Sequence, residues 1–221
     1  MKKFYILIEK LATVSQLLSY SHYVELLAIT NLNEIKYYIK ITEENSLSVR
    51  ELRKRIKNKE YDRLDDSVKI KLTNDEPNQI QDFIKNPIFI YNKNKYDVIS
   101  EKVLQRLILE DISSFLNELG EGFTFIKNEY KIRIGTTYNY IDLLLFNIEY
   151  NCYVVVELKV TELKKEHIGQ IEIYMNYIDK NLRKIVHDKT IGIIVCKKNN
   201  EFVIEYCSDS RIIGREYKIV L

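Results

Sequence analysis

The chain has 221 residues, 46% of them hydrophobic and 30% charged, which is enough apolar material for one large or two small globular domains. Its 34 Lys and Arg nearly balance 32 Asp and Glu, leaving a net charge of +2. That excludes an overall basic excess, so any polyanion site has to come from local patches. The cysteines (Cys152, Cys196, Cys207) form no CxxC pair, and the histidines (His22, His167, His187) are scattered. Neither a zinc cluster nor a Cys/His dyad is suggested, and free thiols buried in a reducing cytosol are the simplest reading. With no signal peptide and no apolar span near 18 residues, a soluble, cytoplasmic protein with no membrane partner is expected.

From Met1 to about Leu64 the spacing is helical, beginning with Leu7, Leu11, Val14 and Leu18 at steps of three or four. Tyr20 to Ile29 predicts a second helix and Asn33 to Glu44 a third, with Ile35, Tyr38 and Ile39 on one side. Ser48 followed by Glu51 is a capping box ahead of a helix whose buried stripe is Val49, Leu52, Ile56 and Leu64. The other faces of that helix carry Arg50, Arg53, Lys54, Arg55, Lys57, Lys59 and Arg63. They read either as a solvated face balanced by Glu51, Glu60 and Asp62 or as a phosphate-contacting helix. Pro77, Pro87 and clustered Asn and Asp place a linker over 76–95, with a short helix near Asn78 to Lys85. Residues 1–75 are thus expected to be a small all-α domain and 96–221 a second domain.

In the second domain, Asp97 to Leu119 predicts one long amphipathic helix stopped by Gly120 and Gly122. Strands are expected at Phe123 to Ile126, Tyr130 to Ile134, Tyr138 to Phe146 and Cys152 to Val160. A helix follows over Lys164 to Arg183, then strands at Thr190 to Cys196, Phe202 to Cys207 and Glu216 to Val220. The order predicts an α/β (α+β) core, a mixed sheet flanked by helices.

The informative stretch is Tyr140 to Lys159, YIDLLLFNIEYNCYVVVELK, which reads as an antiparallel hairpin turning at Asn147 to Asn151. Alternation puts Glu157 and Lys159 on one face of an otherwise aliphatic strand, with Leu158 on the other. Asp142 on the partner strand is within reach of them. Two acids and a lysine at the rim of an apolar sheet suit a hard, partly hydrated divalent cation beside a phosphate. The Leu158 main-chain carbonyl is a further candidate ligand, and Glu110 on the preceding helix a candidate outer or second-metal ligand. Gln170 and Tyr174, four apart on the following helix, share a face and are placed to orient a water or a phosphate. The competing reading is a Glu157–Lys159 or Asp142–Lys159 ion pair at a sheet edge, with lysine as edge protection.

Asp142, Glu157-Leu158-Lys159, Gln170 and Tyr174, in a helix, strands, helix, strand order, resemble the PD-(D/E)XK nuclease superfamily, whose restriction-endonuclease-like fold is then expected. The phrases FLNELGEGFTFIKNEY, YIDLLLF, CYVVVELK, GQIEIYMNYID, TIGIIVCK and IIGREY resemble its YhcG-like family of bacterial nucleases. LLSYSHYVELLAI and SLSVRELRKRI resemble that family's helical N-terminal domain. The resemblance implies that Asp142 and Glu157 bind Mg²⁺ or Mn²⁺, that Lys159 assists the attacking water, and that Glu110 matches the acid of the first core helix. It also implies that Gln170 and Tyr174 lie beside the site and that the reaction is hydrolysis of a DNA phosphodiester, in repair, recombination or defence. Family members carry more helical sequence ahead of Phe4, and tryptophans where this chain has Tyr20 and Leu47, so a shortened N-terminal domain is expected.

A second reading is a catalytically silent DNA-binding or scaffold protein with a nuclease fold. It would hold DNA through Arg50, Arg53, Lys54, Arg55, Lys57, Lys164 and Lys165. The N-terminal helices are candidates for recruiting a protein partner, and a duplex cutter with one site per chain is expected to be a homodimer.

Overall fold

The computed structural model describes residues 17–74, 79–207 and 209–221, the side chains of 72–74 excepted. Leu7, Leu11, Val14 and Pro77 lie outside the described residues. The chain divides into two compact units, Met1–Asn78 and Gln79–Leu221.

The first unit is helical: α1 (Tyr20–Leu26), α2 (Leu32–Glu44), α3 (Val49–Lys57), a 3₁₀ turn (Tyr61–Arg63) and α4 (Asp66–Asn74). Leu18, Tyr23, Leu26, Ile35, Tyr38, Ile41, Leu52 and Leu64 build its core. The capping box forms as expected, Ser48 Oγ accepting from Glu51 N–H at 3.3 Å and Glu51 Oε2 accepting from Ser48 N–H at 2.8 Å.

The second unit holds β1 (Ile88–Tyr91), α5 (Glu101–Glu110), α6 (Ile112–Leu119), β2 (Phe123–Ile134) and β3 (Thr137–Asn147). These are followed by β4 (Cys152–Glu162), α7 (Lys165–Asn181), β5 (Ile191–Lys198), α8 (Glu201–Glu205) and β6 (Ile212–Val220). The strands form a mixed six-stranded sheet in the order β1, β6, β5, β4, β3, β2. The β2–β3 and β3–β4 pairs are antiparallel; β4–β5, β5–β6 and β1–β6 are parallel. One face packs Leu104, Leu107, Ile108, Phe115 and Leu119 of α5 and α6 against Leu143, Val154, Val156 and Leu158. The other packs Ile171, Met175 and Ile178 of α7 against Leu144, Val155 and Ile194. Cover on both faces is why β4 is aliphatic at every position from Val154 to Val156.

Six expectations are corrected. The helix foreseen from Val49 to Leu64 ends at Lys57, ahead of the left-handed Lys59 (φ 51°), so Lys59, Arg63 and Leu64 lie beyond it. The strands foreseen at Phe123 to Ile126 and Tyr130 to Ile134 are one strand, β2, with a register shift between Phe125 and Lys127. The helix foreseen over Asp97 to Leu119 starts at Glu101, capped by Ser100, and breaks at Asp111. There the carboxylate accepts from Ser114 N–H at 3.4 Å and caps α6, a local bond that competes with the continuing helix. Phe202 to Cys207 is the helix α8 and its adjoining turn rather than a strand, with Asn200 Oδ1 accepting from Val203 N–H at 3.3 Å. A short apolar run carries no period that separates the two states. The foreseen linker 76–95 contains β1, which pairs with β6 and so belongs to the sheet. The strand foreseen from Glu216 begins at Ile212, and Ile212, Ile213 and Gly214 pair with β5.

Candidate active site

The site forms where the sheet forks. β3 and β4 pair from Asn147–Cys152 to Leu143–Val156, and there the ladder ends. At the next positions the Leu158 N–H donates instead to Asp142 Oδ2 at 2.8 Å, so a carboxylate takes the place of a strand carbonyl. On the opposite strand Glu129 takes a left-handed φ of 46°. Beyond Lys159 the β4–β5 register also shifts. β4 is thus released from β3 while it stays paired with β5 as far as Glu162–Lys198, and its centre stays clamped between two helical layers.

Glu157, 1% exposed, lies at this fork. Lys159 Nζ donates to its Oε2 at 3.2 Å, whereas its Oε1 is buried with no hydrogen-bond partner. Burial, then the Asp142 charge, push the Glu157 carboxyl up to about 8 despite the nearby ammonium. Burial likewise raises Asp142, opposed by the Leu158 N–H and by Lys159. At Lys159 burial works against the charged form, but Glu157, Glu101 and Asp142 outweigh it and hold the ammonium above its ordinary range. A buried carboxylate with an unused oxygen, beside a second acid, leaves a polar atom that a proton or a cation can satisfy.

α7 brings the expected helix pair to the same place. Gln170 Nε2 donates to the Tyr174 hydroxyl at 3.1 Å. Burial first, and the Glu157 and Asp142 charges after it, raise the Tyr174 phenol. The His167 imidazole, in the first turn, is lowered by burial and by Lys159. From the other layer Gln105 Nε2 donates to the Asp142 carbonyl at 3.1 Å, tying α5 to the fork. Glu101, Lys102, Gln105, Glu129, Tyr140 and Asp142 line a cavity of about 440 Å³.

Asp142, Glu157, Lys159, Gln170 and Tyr174 are therefore brought together, with the Leu158 peptide between the two acids. Glu110 is not among the residues lining that cavity. It sits in the last turn of α5, accepting from Asn94 Nδ2 at 2.7 Å and Tyr96 Oη at 3.3 Å, and lines an adjoining cavity with Lys102, Gln105 and Glu129, while Glu101 in the first turn joins Glu129 in the cavity of Asp142. Glu101 and Gln105, four apart, were legible as polar positions on one face of a helix; nothing in the sequence signals the left-handed Glu129. Among the described residues no group of three or more His, Cys, Asp or Glu is set to hold a metal ion. A metal here would have two carboxylates and main-chain or solvent oxygens.

The basic residues are divided. Lys164 and Lys165 are exposed at the start of α7, Lys164 lying 3.8 Å from Glu166. In the helical unit Arg50, Lys54 and Lys57 are exposed, but Arg53 forms a two-pronged pair with Glu25 at 2.7 and 3.0 Å. Arg55 pairs at 3.4 Å with the buried Glu60, whose Oε1 also accepts from Tyr37 Oη at 2.8 Å. Arg55 thus holds the helical core together, a role its place in a basic run conceals.

Residues 81–220 match the YhcG PDDEXK nuclease domain, and residues 1–63 match the DUF1016 N-terminal domain. The chain belongs to the YhcG PDDEXK nuclease family. The Escherichia coli (strain K12) protein named "Putative nuclease YhcG" is 26% identical over 210 residues, covering 91% of this chain. The chain spans 56% of that relative's length. Among solved structures, a repair endonuclease from Pyrococcus abyssi is 20% identical with a TM-score of 0.37, over 57% of this chain and 49% of that one. An EndoMS complex with double-stranded DNA gives the same identity and TM-score, over 57% of this chain and 48% of that one. The YhcG PDDEXK membership and the mixed sheet with flanking helices agree on a nuclease fold. No helix among the described residues is long and apolar enough to cross a membrane.

Proposed function

We propose that this YhcG PDDEXK domain is a divalent-metal-dependent DNA endonuclease that hydrolyses phosphodiester bonds at the β3–β4 fork. The observation that carries the reading is the buried, unpartnered Glu157 Oε1 beside Asp142 and Lys159. Asp142, Glu157 and the Leu158 carbonyl would hold Mg²⁺ or Mn²⁺, hard cations that take oxygen donors and keep part of their water. Such an ion, when bound, supplies Lewis acidity toward a phosphoryl oxygen and lowers the pKa of water. Lys159, held as an ammonium, donates toward the attacking water and offsets charge developing on the phosphorane-like transition state. Gln170 and Tyr174 orient that water or the adjoining phosphate oxygen. Lys164 and Lys165 contribute phosphate contacts, as do the exposed cations Arg50, Lys54 and Lys57 of the helical unit. Arg53 and Arg55 join them only by giving up Glu25 and Glu60.

The wider setting is part of the same proposal: a reducing cytoplasm, in keeping with the buried free Cys152 and Cys196, a homodimer when both strands of a duplex are cut, and a helical unit that recruits DNA or a protein partner. The test is incubation of the protein with supercoiled, linear, branched and single-stranded DNA, with Mg²⁺, Mn²⁺ or excess chelator. Cutting that needs the metal, and that Lys159→Ala lowers by ~100-fold or more, is the expected result. A gel shift without cutting on every substrate would contradict it and favour the scaffold reading.

A further inference from the structure

Beyond the fork, β2 and β3 continue as a two-stranded ribbon with no β4 alongside, since β4 pairs with β3 only over Leu143–Asn147. One face of this ribbon is docked: Ile132 and Ile141 are at most 1% exposed and pack with the α7 layer. The other face is open. On it Lys131 stands opposite Tyr140 and Arg133 opposite Tyr138, and both tyrosines are about half exposed, at 52% and 53%. Lys131 Nζ lies 3.8 Å from the Tyr138 ring centroid and Arg133 Cζ lies 6.0 Å from it. The Arg133 Nε donates to the Gly135 carbonyl at 3.1 Å, which leaves the outer guanidinium nitrogens turned elsewhere. Neither cation has a carboxylate partner among the described residues. Tyr140 also lines the cavity that holds Asp142, two residues further along β3. An open cationic stripe therefore runs from the ribbon tip into the active site.

We propose that this ribbon face is a duplex-DNA contact of the nuclease, gripping the phosphate backbone beside the scissile bond. The inference rests on the function proposed above and adds the element that holds the substrate there. Charge is complementary: Lys131 and Arg133 stand on this face, and Glu129, the one carboxylate between Thr124 and Tyr140, lies at its inner end in the cavity with Asp142. Stacking on Tyr138 holds the two long side chains in place before DNA arrives, so less rotamer entropy is lost on binding. At ~3.4 Å per residue, Asp142 and Tyr138 are ~14 Å apart along β3, which matches about four base steps of 3.4 Å. A two-stranded ribbon is also a shape that a duplex groove admits.

The test uses the full chain carrying Glu157→Gln, in Mg²⁺, with anisotropy of a short fluorescent duplex of arbitrary sequence read over a salt series. Because this readout needs no turnover, it stands whether or not the unsubstituted protein cuts DNA, and the two proposals can fail separately. Adding Lys131→Ala and Arg133→Ala is expected to weaken binding about tenfold and to lower the salt slope by about 2, near 0.9 for each phosphate contact. Tyr138→Phe, which keeps the ring under both cations, is expected to bind within about twofold of its parent. Lys131→Gln alone, expected to lower the slope by about 1, serves if the double substitution unfolds the protein. Unchanged affinity and slope in a variant with unchanged melting temperature would overturn the proposal. So would equal or tighter binding of a single strand of the same length.

Discussion

At the scale of single residues the account turns on Glu157. Its folded-state carboxyl is raised to about 8 from 4.5, so the metal-free native state binds a proton that the unfolded chain releases above 4.5. Stability from this group is fully present below pH 4.5 and is lost as pH rises toward about 8, at ~1.4 kcal/mol for each pH unit. Glu157→Gln, which resembles the protonated acid, is expected to match the parent near pH 4 and to melt higher at pH 8. Thermal melts in chelator across that range check it; parallel curves would show that Glu157 is not a strained acid. Tyr174→Phe, which removes the acceptor of the Gln170 bond, is expected to lower kcat about tenfold while leaving the melting temperature within a degree or two. Alternation along a strand made Glu157 and Lys159 legible as one face, and the hairpin brought Asp142 to them. Which acid of α5 shares a cavity with Asp142 was not legible: Glu101 and Glu110 are both on that helix, and only the path of β3 past it brings Glu101 to Asp142.

At the scale of elements, two contacts set the layers. Gly192 on β5 lies under α7: a Cβ there would meet Met175 Sδ at 2.6 Å and Ile171 Cδ1 at 2.9 Å. Gly192→Ala is therefore expected to cost ~1 to 3 kcal/mol through overpacking, read as a lower denaturant midpoint at unchanged slope. Asp111 both caps α6 and pairs with Lys93 at 2.6 Å. Asp111→Ala is expected to cost about 1 kcal/mol, most of it from the cap. Elements with a long period were legible: α7, β3 and β4 stand where spacing puts them, and α3 begins at its capping box but ends at Lys57, short of the expected Leu64. The misread ones are short or interrupted. Asp111 breaks a continuous apolar stripe by bonding its own backbone, Phe202 to Tyr206 is too brief to show a period, and β1 is four residues whose strand character depends on pairing with β6. That partner lies more than a hundred residues along the chain.

At the scale of the whole molecule, the fold concentrates its cost at one place. Two helical layers close over the sheet and desolvate Glu157 and Asp142, a cost that the proposed cation would offset. Mn²⁺ is accordingly expected to raise the melting temperature of the unsubstituted protein and not that of Glu157→Gln, in proportion to the logarithm of its concentration. The helical unit is organised differently: its buried carboxylate, Glu60, is already paired with Arg55 and hydrogen-bonded to Tyr37. The most direct measurement compares cleavage of one DNA substrate in Mg²⁺ by the unsubstituted protein, Asp142→Asn and Glu157→Gln, each first shown by its melt to be folded. The account predicts cutting by the first that a chelator stops and that both variants lose by ~1000-fold or more. Undiminished cutting by either folded variant would contradict it.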